Sequence, residues 1–129
     1  SVLDPKRVRD LWVLDGKSKT LSAASLIRTY LLESASNMVD LSMALSNEDY
    51  SLLSTIAHSL VASSATMGAV AFGETARDLE NSCKSGQQDR ARELGAALVK
   101  AYPSVREALR VTYLAEGADS KNRPVLVAV

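Results

Sequence analysis

His58 is the one histidine among 129 residues, in the run Ala57-His58-Ser59-Leu60-Val61-Ala62-Ser63-Ser64-Ala65-Thr66-Met67-Gly68-Ala69. A neutral imidazole carries a lone pair at physiological pH, which suits it to proton transfer, metal binding or nucleophilic attack. The rest of the chain narrows that choice. With Cys83 the only cysteine, the chain falls short of the about four Cys or His ligands of a structural zinc site, and a di-metal bundle would need paired Glu-x-x-His motifs. A hydrolase would need a carboxylate to orient the ring, and none lies one helical turn from His58 on its own helix face. No glycine-rich nucleotide loop is present. Ser63 and Ser64 read as small residues that let neighbouring helices approach, their hydroxyls bonding back to the preceding turn.

A helix turns about 100° per residue, so Leu53, Ile56, Leu60 and Met67 fall in one stripe and His58 lies almost opposite them. Around His58 on the outer face stand Ser51, Ser54, Thr55, Val61, Ala62 and Ala65, which are small and uncharged. An ordinary solvated face would carry Lys and Glu. A smooth, uncharged face suits transient docking, because a partner approaches closely without stranding unpaired charges. These six are the candidate partner-docking residues. The alternative is that both faces of this helix are buried and His58 is a satisfied core residue.

The run resembles the phosphoacceptor motif of histidine-containing phosphotransfer (HPt) domains, roughly A-H-x-L-K-G-S-S-x-x-x-G-A. Ala57, His58, Leu60, Ser63, Ser64, Gly68 and Ala69 occupy its places. The resemblance extends over about residues 3–115 and implies an antiparallel up-down four-helix bundle with a short extra N-terminal helix. It also implies that His58 is the phosphoacceptor, through Nε2, of a two-component phosphorelay. In such a relay the histidine takes a phosphoryl group from a receiver-domain aspartyl phosphate and passes it to another receiver. The partners implied are receiver domains of response regulators or of a hybrid sensor kinase. No cofactor is implied on this chain, since the receiver brings the Mg²⁺.

Two places depart from the pattern: Val61 and Ala62 stand where the family has Lys and Gly. A lost charge-assisted hydrogen bond costs about 1.5–3 kcal/mol, or about 10- to 150-fold in rate if it forms in the transition state. Arg28 and Arg77 are the candidate compensating cations on neighbouring helices. The alternative function is an HPt-like docking module with weak or no phosphotransfer. A sensor-kinase dimerisation helix pair would have an acidic residue after the histidine, where this chain has Ser59.

Scarce Gly and Pro with abundant Ala, Leu, Glu and Arg predict an all-α fold. Asp4-Pro5 is a cap followed by a first-turn proline, opening a short helix that carries Val8, Leu11 and Trp12 and ends near Asp15-Gly16. The spacing of Ile27, Leu31, Ser34, Met38, Leu41 and Leu45 predicts a long helix over residues 20–45. The cluster Ser46-Asn47-Glu48-Asp49 starts the His58 helix, and Gly68 ends it. A further helix covers residues 69–84, and a last one residues 88–115 with Leu94, Leu98, Val105, Leu109 and Val111 in the core. Pro103 removes an amide donor inside that helix and predicts a kink or a break there.

Fifteen acidic and fifteen basic residues give a net charge of zero, so no basic field attracts nucleic acid or an anionic membrane. The uncharged stretch over residues 51–73 is too rich in Ser and Thr for a bilayer helix. A monomeric, cytoplasmic protein is expected, with one bundle over residues 1–117. Residues 118–129 read as a linker or tail, whose apolar end, residues 124–129, resembles the first strand of a following receiver domain.

Overall fold

The computed structural model describes residues 2–17 and 22–115, with side chains left undescribed for 14–17. The tail at 118–129, and Thr20 where the second helix was expected to start, lie outside the described residues. The described chain forms α1 (Pro5–Lys17), α2 (Ala23–Ser46), α3 (Tyr50–Thr66), α4 (Val70–Lys84) and α5 (Gln88–Leu109), followed by a π-helical segment, Arg110–Leu114.

Side-chain caps set three of the starts. Asp4 Oδ1 accepts the Lys6 amide at 3.0 Å, Ser22 Oγ accepts that of Ser25 at 3.0 Å, and Asp49 Oδ1 accepts that of Leu52 at 3.1 Å. Each satisfies an amide the helix itself cannot, worth about 1 kcal/mol. Helix α3 stops where Gly68 adopts φ +90°, a conformation costly for residues with a Cβ. The freed Gly68 carbonyl accepts the Asp4 amide at 2.7 Å, which ties the start of α1 to the α3–α4 turn.

Short turns join α2 to α3, α3 to α4 and α4 to α5, so consecutive helices run antiparallel. Cross-helix pairs fix the register. Tyr30 Oη on α2 meets Ser64 Oγ on α3 at 2.9 Å, and Ser34 Oγ meets Tyr102 Oη on α5 at 2.8 Å. All four hydroxyls are buried, so each satisfies its partner in the core. Ser34 is thus the small seam residue that the spacing predicted. Ser63 bonds back to Ser59 O at 2.9 Å as expected, whereas Ser64 bonds across to α2 instead. Ile27, Met38 and Leu41 fill the α2 seam, while Leu31 and Leu45 are only half-buried.

Helix α5 continues without interruption through Pro103. A π-helical segment follows, whose wider turn rotates Thr112 and Tyr113 inward and leaves Val111 half-buried. Val111 is therefore not the core residue that an unbroken 3.6-residue period implies. Tyr113 packs on Trp12 with ring centroids 5.2 Å apart and donates to Val8 O at 3.4 Å, which seats α1 against the end of the bundle.

Candidate functional site

Leu53, Ile56, Ala57 and Leu60 put one side of α3 in the core, so His58 emerges on the other with its side chain 76% exposed. The buried-histidine alternative is thereby excluded. Helix α4 lies close alongside. A Cβ on Gly73 would sit 3.2 Å from Val61 O, so only glycine allows this approach without the neighbour giving way. In the antiparallel register set there, Glu80 comes level with His58.

Glu80 Oε2 lies 2.8 Å from His58 Nδ1, and Lys84 Nζ lies 2.9 Å from that same oxygen. The Glu80 side chain is 11% exposed, so its carboxylate is held in place by packing. The Lys84 hydrogen bond keeps the Glu80 carboxyl below the usual carboxylate range, against the opposing pull of burial and with help from the His58 bond. An ionised carboxylate only accepts hydrogen bonds, so Nδ1 carries the proton and the Nε2 lone pair faces outward. Ser54, Thr55, Ser59 and Lys84 complete a shallow, open concavity of about 340 Å³ around the ring and Glu80.

The six candidate docking residues divide into two sets. Ser51, Thr55 and Ala62 are exposed, whereas Ser54, Val61 and Ala65 are half-buried. Val61 O and Ala65 N lie against Gly73, so α4 covers part of what a single-helix projection assigns to solvent. The sequence reading missed Glu80, Lys84 and Ser59. Spacing within α3 does not reveal the orienting carboxylate, because it comes from the next helix.

The cation joined to the ring's hydrogen-bond network, through Glu80, is Lys84 rather than Arg28 or Arg77. Arg28 precedes Tyr30, which pairs with Ser64, so it lies level with the far end of α3, beyond His58. Arg77 is exposed, one turn before Glu80 on the stripe of α4 that faces α3, and makes no hydrogen bond or salt bridge among the described residues.

The model of the Hpt domain family matches residues 25–109, a span that contains His58, Glu80 and Lys84. The chain belongs to the Hpt domain family. Among solved structures it is similar to histidine-containing phosphotransfer protein B (HptB) from Pseudomonas aeruginosa PAO1, at 27% identity and a TM-score of 0.75 over 84% of this chain and 91% of that one. No curated protein matches the sequence. An Hpt domain is a phosphotransfer carrier of two-component signalling, and Hpt domains pass phosphate to receiver domains. Among the described residues, no helix of this Hpt domain is long and apolar enough to cross a membrane.

Because Glu80 is held below its ordinary range, it contributes stability that is fully present above the unfolded carboxylate value and is lost as pH falls through the folded one. Glu80→Gln removes this contribution. Urea unfolding of both proteins should show a stability gap at about pH 7 that closes toward about pH 3. A gap independent of pH would mean that the ionised carboxylate has no part in it.

Proposed function

We propose that His58 is the phosphoacceptor, taking a phosphoryl group on Nε2 from the aspartyl phosphate of one receiver domain and passing it to the aspartate of another. The observation that carries this reading is the exposed imidazole held by a buried carboxylate at Nδ1, which leaves Nε2 as the free, outward nucleophile. On attack the Nε2–P bond forms as the acyl O–P bond breaks, and the carboxylate leaves with the electron pair. Little else is required of the carrier, because phosphoryl transfer depends chiefly on in-line positioning and charge stabilisation. The Mg²⁺ and most of that stabilisation come from the receiver.

The exposed residues Ser51, Thr55 and Ala62, with Ser54 at the edge of the concavity, form the surface on which the receiver docks. None carries a charge that docking would strand. Incubation with a phosphorylated cognate receiver tests the reading: acid-labile, base-stable phosphate should appear on His58. A domain that binds the receiver and gains no such phosphate is the docking module instead, a role that Val61 in the family's lysine place would favour.

Val61→Lys places an ammonium one helical turn from the ring, on the side toward α4. If a cation there meets the phosphoryl oxygens, transfer should accelerate about tenfold. Rapid-quench measurement with one receiver checks this. An unchanged rate assigns the task to cations already present, such as Lys84, which bonds the Glu80 oxygen that meets the ring.

A further inference from the structure

Attack through Nε2 leaves the His58 proton on Nδ1, so the phosphorylated ring carries a positive charge beside a carboxylate oxygen, where the free protein has a 2.8 Å contact. That proton governs how readily the phosphoryl group departs. With Nδ1 protonated, the Nε2–P bond breaks to a neutral imidazole, its electron pair returning to Nε2 while the acceptor oxygen bonds to phosphorus. Without the proton the leaving group is imidazolate, which departs far less readily.

We propose that Glu80 is a positioning residue that keeps the phosphoimidazole protonated on Nδ1 and thereby sets how fast His58 gives its phosphoryl group up. The inference rests on His58 being the phosphoacceptor. Its support is geometric: the carboxylate is packed into the α3–α4 interface and meets the one ring nitrogen that attack leaves protonated. Lys84 bonds the same oxygen, so it draws carboxylate charge away from the ring and moderates the effect.

The surrounding charges leave the assignment to this pair. Helix α3 holds no formally charged residue besides His58. On α4, Arg77 is one turn from Glu80 and Lys84 one turn beyond it. Helix α5 directs Arg90 to a different surface of α4, with Asp78 and Asn81. Helix α2 packs on α3 from the side of Tyr30 and Ser64, away from Glu80. A phosphohistidine so held is a transient state, poised for onward transfer rather than storage.

The test needs no receiver. Wild type and Glu80→Gln are phosphorylated with phosphoramidate, a small chemical donor, and loss of phosphate is followed across pH. At about pH 8 the variant should lose phosphate about 10- to 100-fold more slowly, and at about pH 5, where the ring is protonated in both, the two rates should converge. Equal rates at both pH values, or equal slowing at both, would overturn the inference. Lys84→Met, at an exposed position, provides an independent arm should the first variant not fold. It leaves Glu80 to the ring alone, so loss should be faster at the higher pH, and slower loss counts against the proposal. A wild type whose His58 takes phosphoryl from neither phosphoramidate nor a receiver overturns the phosphoacceptor reading itself.

Discussion

His58→Gln abolishes phosphoryl uptake and leaves helical content and melting temperature nearly unchanged. The two halves of this expectation have separate causes. Uptake is lost because glutamine offers no nucleophilic ring nitrogen, and α3 holds no second imidazole. The fold survives because the ring is 76% exposed and fills no core space. Removing it frees one lone pair of Glu80, but Lys84 still bonds that carboxylate at 2.9 Å. The stability cost should therefore stay under about 1 kcal/mol, as for most surface changes. Circular dichroism melts alongside a phosphorylation assay read both halves, and a large loss of stability would mean that the ring has a structural role.

Leu60→Ala has the opposite signature. Leu60 follows His58 by two residues, faces the core and is fully buried. Truncation removes apolar contacts and leaves a cavity that close-packed neighbours fill only in part, at about 2–5 kcal/mol. That is a large share of the stability of a single domain of this size, about 5–15 kcal/mol. The denaturation midpoint should fall accordingly, while the molecules that remain folded still accept phosphate. A variant of unchanged stability would show that α3 is not anchored by this stripe. The pair of substitutions separates the two faces of one helix: the outer carries the chemistry and the inner carries the fold.

Much of this was legible in the sequence because it depends on neighbours along the chain. Asp4 and Asp49 cap the helices they precede, Gly68 takes the left-handed turn that ends α3, and the spacing of Leu53, Ile56 and Leu60 directs His58 outward. What sequence spacing does not contain is the phase of one helix against the next. Glu80 and Lys84 reach the ring because Gly73 lets α4 approach Val61 closely in one register, and that register also half-covers Val61 and Ala65. One signal was nevertheless available. Glu80 shares the buried stripe of α4 with Gly73 and Ala76, and an acid on such a stripe calls for a partner. Val111 failed for a related reason, since a π turn shifts the phase within its own helix and exchanges it for Thr112 and Tyr113.

The central claim is that Nε2 of His58 is the atom that carries the phosphoryl group, with Nδ1 held by Glu80. Heteronuclear NMR of the imidazole nitrogens in the phosphorylated protein tests it most directly. Phosphorus coupled to Nε2, with the proton on Nδ1, is the predicted result. Phosphate on Nδ1, on a hydroxyl as an acid-stable ester, or nowhere on the domain after exposure to its phosphorylated receivers would contradict it.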